Sequence, residues 1–312
     1  MTIGNFDGVH RGHAAILKRV VAEARRRDVS PVAVTFDPHP AQILRGSSPP
    51  AISSLADRRE RLAEAGIERV EVIEPTPDFL ALSPADFVSR MVERINPDEI
   101  VEGPDFHFGR DRAGNIEQLK ALGEQHGFAV EVVEPVKLAL NDLKVASVSS
   151  SLVRWLLVRG RVEDAAVCLG RWHTLSAPVV EGDRRGTEIG FPTANLDGEA
   201  LNGFACPGPG VYAAEVSLPD GTTHPGALSV GAKPTFGGAP ETLEVHLLDF
   251  EGDLYGQTLS VSARRWLRDQ QPFPSSTELV EQITRDVERV GTLAQEGELT
   301  DEPWQKLPEA VA

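Results

Sequence analysis

The stretch "GNFDGVHRGH", residues 4–13, decides how the first half of this chain is read. Only "MTI" precedes it, and "AAILKRVVAEARRR" follows it. That following run sets Ile16, Leu17, Val20, Val21 and Ala24 on one helical stripe, so the glycine-rich segment is a turn between a first strand and a helix. Gly4, Gly8 and Gly12 let the main chain approach a ligand closely. His10 and His13, three apart at the helix start, share one face, and the helix N-terminus adds partial positive charge. A turn of this make-up can stabilise negative charge that builds on a phosphate in transit. The plain alternative is a glycine-rich turn with two surface histidines; the placement after a strand and before a helix favours the first reading.

Working outward, "PVAVTF" (31–36), "RVEVIE" (69–74), "EIVEG" (99–103) and "AVEVVEP" (129–135) are strand-like. "SPADFVSRMVERI" (83–95), with Ser83 as N-cap before Pro84, and "NIEQLKALGEQHG" (115–127) are helix-like. Strand–helix alternation predicts an α/β doubly wound parallel sheet with helices on both faces, and ligands bind such sheets at the carboxyl ends of the strands. A further helix, roughly residues 150–160, leads through "RVEDAAVCLGRW" into a second half of different character. There "GVYAAEVSL", "HPGALSVG", "ETLEVHLLDF" and "QTLSVSARRWL" are closely spaced strands, the first two joined at Asp220-Gly221, a hairpin signal. This spacing predicts a small antiparallel β-barrel, followed by a C-terminal helix over 276–290. The boundary is expected near Gly170, giving domains 1–170 and 171–290 and a motif-free surface tail, 291–312.

Composition narrows the function. Hydrophobic residues make up 41% and charged residues 25% of 312, the profile of a globular protein. With 31 basic and 47 acidic residues the net charge is -16, which argues against a nucleic-acid partner. No run approaches the ~18 apolar residues of a membrane span, and no secretory signal is visible. Cys168 and Cys206 make no disulfide framework, so a cytoplasmic location is expected. No Walker-type phosphate loop occurs.

His10-Arg11-Gly12-His13 is the H-x-G-H signature of the nucleotidylyltransferase superfamily. Together with "TFDPHPAQIL" (35–44), "EGPDFHFGRDRAGN" (102–115) and "VSSSLVRWLLVRGRVEDAAVCLGR" (148–171), it resembles the FAD synthetase module of the prokaryotic bifunctional riboflavin kinase/FAD synthetases. The resemblance implies adenylylation of FMN by ATP, giving FAD and pyrophosphate. Gly4, Phe6, Asp7, His10 and His13 would carry the ATP side; Asp105, Ser149, Ser150 and Arg154 would complete the nucleotide pocket; Pro38 and His39, within "TFDPHP", would lie by the flavin. Pro38 and Pro40 are equally ordinary turn residues. Family members have a fuller strand before the first turn, so "MTI" is expected to be the stub of that strand.

In the second half, an extended Thr193–Asn195 in "GFPTAN" turns a hydroxyl and an amide oxygen the same way, hard ligands suited to Mg²⁺. In "LEVHLL" (243–248) Leu243, Val245 and Leu247 alternate with Glu244 and His246, which leaves Glu244 off the core face; a merely solvated face is the alternative. "GDRRGTEIGFPTANLD", "PGVYAAEV", "GAKPTFGG", "LEVHLLDFEGDLYG" and "LRDQQPF" run in the order of the riboflavin kinase module of the same family. By that resemblance Gly182, Arg185, Thr193 and Asn195 bind Mg-ATP, Glu244 is the general base toward riboflavin, and Arg268 lies by the flavin or the nucleotide. Thr187 stands where many members carry Arg, and Gln270 where many carry Glu; Arg184 and Arg185 would partly compensate for the first. A transferase with a weakened or inactive kinase, and a non-catalytic flavin-binding regulator, therefore stay open beside the two-site enzyme. Some members assemble, so a homo-oligomer is also compatible.

Overall fold

The computed structural model describes residues 1–182, 185–231 and 242–305, without the side chains of Arg185 and Thr187. The motif "GAKPTFGG" beyond its first glycine, and Arg184, lie outside the described residues. The chain divides into two compact units, Met1–Leu138 with Val145–Ser150, and Ala139–Lys144 with Ser151–Ala312.

The first unit runs β1 (Thr2–Ile3), α1 (Arg11–Arg27), β2 (Val32–Phe36), α2 (Pro40–Arg45), α3 (Leu55–Glu64), β3 (Arg69–Ile73), α4 (Pro77–Leu80), α5 (Pro84–Ile95), β4 (Glu99–Glu102), α6 (Ile116–His126) and β5 (Ala129–Val132). β1, β2 and β3 pair in parallel, as do β4 and β5. Main-chain bonds from Val101 N to Met1 O (2.9 Å) and from the Met1 ammonium to Glu99 O (2.6 Å) set β4 beside β1, which gives the order β3-β2-β1-β4-β5. Alternation along the strands supplies two cores. Ile3, Val34 and Ile100 pack with Phe87, Val88 and Met91 of α5 and Leu119 and Leu122 of α6. Ala33 and Val101 pack with Leu17, Val20 and Val21 of α1 and Leu62 of α3 on the opposite face. The doubly wound parallel sheet is thus present, and Ser83 caps its helix through its side-chain oxygen, as the sequence predicts; Asn115 does the same for α6.

A hairpin of β6 (Lys137–Ala139) and β7 (Val145–Ser147) comes next, then α7 (Ser150–Val158), α8 (Val162–Leu169), β8 (Leu175–Val180), the short α9 (Arg185–Glu188), β9 (Ala194–Leu196), β10 (Gly210–Ser217), β11 (Thr223–Val230), β12 (Leu243–Leu247), β13 (Thr258–Arg268) and α10 (Ser276–Gln295). Six strands close into a barrel in the order β10-β11-β12-β9-β8-β13. Residues alternate inward along β8 and β12, with Leu175, Ala177 and Val179 on β8 and Leu243, Val245 and Leu247 on β12 buried. Val290 and Leu293 of α10 cover the outer face at Ala213 and Ala227.

The compact units divide at Ser150/Ser151, because α7 and α8 are tied to the barrel. Gly208 N donates to Leu157 O (2.9 Å), and Arg265 of β13 pairs with Glu163 of α8 (3.3 Å). The stretch after α10, expected as a surface tail, is seated as far as it is described: Leu299 is buried, Trp172 donates to Asp301 O (3.1 Å), and Trp304 meets Trp172 edge-on.

Candidate active sites

The first site is built on the turn from β1 to α1. Gly4 N donates to Val34 O (2.9 Å), which aligns the end of β1 with β2. Phe6, Gly8 and Val9 all take positive φ, and the Phe6 side chain anchors the turn in the core. Asp7 is buried; its carboxylate accepts the N–H groups of Ile52 (2.9 Å) and Ser53 (3.1 Å). It therefore fastens the turn to the loop before α3. His10 is the N-cap of α1, its Nδ1 accepting from His13 N (3.2 Å), and the two imidazoles stack at 3.6 Å. A Cβ on Gly12 would sit 3.1 Å from the His10 ring and 3.2 Å from Val148 O, so any larger residue would press on that ring and that carbonyl. Burial, with His10 and Arg58 adding to it, pulls the His13 pKa well below its ordinary value. His13 is then neutral at pH 7, and its buried Nδ1 finds no hydrogen-bond partner among the described residues.

Ser150 at the start of α7 donates its hydroxyl to Asp7 O (2.9 Å), bringing the serine segment to the same turn. Ser149 is exposed beside it, and Arg154 lies further along α7, in the second unit. His39 caps α2 by accepting from Ala41 N (3.1 Å) and meets Asn5 Nδ2 through Nε2 (3.2 Å), which joins "TFDPHP" to the first turn; Pro38 is exposed. Asp105 is on an exposed turn after β4, its carbonyl oxygen 2.8 Å from His107 Nδ1, and is not brought against the other residues of the set. The sequence reading missed Asn5, Thr35, Ser53 and Arg58. Arg58 is signalled only by its helix, since "SLAD" (54–57) is a capping box, which the structure forms in full.

The second site is on the outer face of the barrel. β12 and β9 pair in register with Glu244 opposite Asn195, and Thr193 Oγ1 donates to Glu244 Oε2 at 3.4 Å. A Cβ on Gly182 would fall on the Asn195 side chain, so glycine is what lets the amide lie across that turn. Thr193, Asn195, Glu244 and Gly182 are thus together. Arg185 opens α9, its side chain outside the described residues, like that of Thr187. On the other side of Glu244 the register places Ser229, whose hydroxyl accepts from Gln270 Nε2 (2.8 Å). The amide of Gln270 is therefore used as a donor, which a carboxylate at that position would not be equipped to be. Arg268 is committed to Asp286 of α10 by Nε–Oδ2 (2.9 Å) and Nη2–Oδ2 (2.8 Å) contacts, with its guanidinium 5.6 Å from the Phe273 ring.

These two sites define a class: a nucleotidyltransferase-type parallel sheet with a histidine pair on its first turn, joined in one chain to a barrel kinase. Family models for FAD synthetase and riboflavin kinase match residues 1–149 and 169–294. The bifunctional riboflavin kinase/FMN adenylyltransferases of Pseudomonas fluorescens and Escherichia coli K12 are 37% and 36% identical to this chain, over 94% and 92% of it and 92% and 90% of their own lengths. A solved crystal structure described as a macrolide-efflux protein from Streptococcus pneumoniae superposes with a TM-score of 0.81 at 30% identity, covering 92% of each chain. Among the described residues no helix is long and apolar enough to cross a membrane. The chain belongs to the bifunctional riboflavin kinase/FMN adenylyltransferase family.

Proposed function

We propose that this chain runs two consecutive reactions from separate sites: residues 171–290 phosphorylate riboflavin to FMN, and residues 1–170 adenylylate FMN to FAD. The observation that carries the transferase half is the stacked His10–His13 pair at the N-terminus of α1. A neutral His13 can donate a hydrogen bond to a phosphate oxygen without the cost of burying a cation, and the helix end adds positive potential. Ser149, Ser150 and Arg154 are assigned to the nucleotide phosphates, with Gly4, Phe6 and Asp7 shaping the turn and Asp105 at its rim. Pro38 and His39 are assigned to the flavin side. Both activities are those of the family, and a non-catalytic regulator would have no use for the histidine pair or for Glu244.

For the kinase half, Glu244 is assigned as general base. It takes the proton of the terminal ribityl hydroxyl as that oxygen bonds to the γ-phosphorus of ATP and the β–γ bridging bond breaks. The Thr193 hydroxyl and Asn195 amide oxygen beside Glu244 suit Mg²⁺, which takes few protein oxygens and keeps its waters and the substrate phosphates. That set fits, although the described residues hold no cluster of three His, Cys, Asp or Glu. When bound, the ion offsets charge on the phosphates. Arg268 is assigned to hold α10 beside the flavin. The test is chromatographic product analysis with riboflavin, then FMN, each with Mg-ATP. FMN and then FAD should accumulate; no FMN from riboflavin would leave a transferase with a silent kinase.

A further inference from the structure

Arg58, on α3, is a buried cation without a counter-ion among the described residues. It is 8% exposed. Its Nη1 donates to two neutral oxygens, Thr35 Oγ1 (3.1 Å) and Phe36 O (3.0 Å), while its buried Nε has no partner. Among the described residues no carboxylate forms an ion pair with it. Asp7 and Asp37 act on it through space, yet burial outweighs them and pulls its pKa down. A buried charge is normally paired, and an uncompensated one is costly. Bracing the end of β2 uses one nitrogen and needs no charge at all.

The surroundings indicate what the missing anion is. The Thr35 hydroxyl that accepts from Arg58 itself donates to Asn5 O (3.1 Å), and Asn5 meets His39. Arg58 also acts on His13 electrostatically. The guanidinium therefore lies at the carboxyl edge of the sheet, where the first turn meets the turn after β2. Two more polar atoms there, Asn5 Oδ1 and His13 Nδ1, are buried without partners among the described residues.

We propose that Arg58 binds the phosphate monoester of FMN and is the residue by which the transferase prefers phosphorylated to unphosphorylated flavin. This rests on the assignment of adenylyl transfer to the His10–His13 turn. In that reaction an FMN phosphate oxygen bonds to the α-phosphorus of ATP, the α–β bridging bond breaks, and pyrophosphate leaves with the electron pair. The attacking dianion has no proton to lose, so the site has to screen its charge and aim it. A guanidinium fork that stays charged at every working pH suits that task. ATP has the α1 N-terminus and the histidine pair; Arg58 is anchored instead to the end of β2, on the side assigned to the flavin.

The test is FAD synthesis followed by pyrophosphate release in R58M and R58K, with 5′-deoxyriboflavin, which has no hydroxyl to phosphorylate, as competitive inhibitor. R58M should raise KM for FMN roughly ten- to hundredfold, while KM for ATP and Ki for the inhibitor stay within about threefold. R58K should recover part of the loss. Three results would overturn the proposal: FMN and inhibitor weakening together, the change falling on ATP, or no change. Thermal unfolding of the same samples reports folding of the unit that carries Arg58; should R58M not fold, R58K carries the same comparison. If H13A abolishes FAD formation while R58M keeps normal FMN selectivity, this inference fails and the transferase assignment stands.

Discussion

His10, Gly12 and His13 work as one unit: a capping imidazole, a glycine that makes room for it, and a second imidazole stacked on the first. The same logic recurs in the barrel, where Gly182 makes room for Asn195. G182A should push the Asn195 amide out of place and lower riboflavin phosphorylation by about tenfold or more, with FAD formation from FMN unchanged. Rates for both products from one preparation check this, and an unimpaired kinase would remove Asn195 from the site. Glu102 gives a prediction in pH. Its carboxylate accepts from Ile3 N (2.6 Å) and Thr2 Oγ1 (3.2 Å), yet burial raises its pKa from 4.5 to about 8. The folded state then holds a proton that the unfolded state loses between those values, so stability falls as pH rises through that window, by at most about 1.4 kcal/mol per unit. E102Q should flatten that slope in thermal unfolding measured from pH 5 to 9; an unchanged slope would mean that Glu102 is ionised when folded.

At the scale of elements, the sequence made the strands of the sheet and the helices α1, α5 and α6 legible, because each has a clear period and, for α5 and α6, a side-chain cap. It did not reveal α3 or α8. α3 is short and carries four arginines or aspartates in its first seven residues, so its apolar stripe is thin even though its capping box is explicit. α8 is buried on nearly every side and shows no alternation to read. Missing α3 meant missing Arg58, whereas the histidine turn was readable because its function depends on local spacing. In the barrel, β8 and β9 went unread, since a three-residue β9 makes sense only through its pairing with Glu244 and Val245. The anchoring of α10 is likewise a tertiary matter: Arg268 pairs with Asp286, and Gln282 supports that carboxylate at 2.9 Å. D286A would leave the guanidinium unpaired beneath α10 and should destabilise the barrel unit by roughly 2–4 kcal/mol. Denaturant unfolding followed by tryptophan fluorescence checks this, and an unshifted midpoint would show that α10 is held by its apolar face alone.

Over the whole molecule, two substrates that carry phosphate are handled by a chain of net charge -16. Each site meets this locally, the first with a helix N-terminus, a neutral His13 imidazole and a buried arginine, the second with neutral oxygens beside one carboxylate. The division into two compact units places the histidine pair and Glu244 in different units, so the two chemistries should separate by mutation. Gln270 has a place in the second site, since its amide donates to Ser229, which stands opposite Glu244. The most direct measurement is flavin product analysis of H13A and E244A, each given riboflavin or FMN with Mg-ATP. H13A should still make FMN from riboflavin but no FAD from FMN, and E244A should make FAD from FMN but no FMN from riboflavin. Loss of both products in either folded variant would contradict two separate sites in one chain.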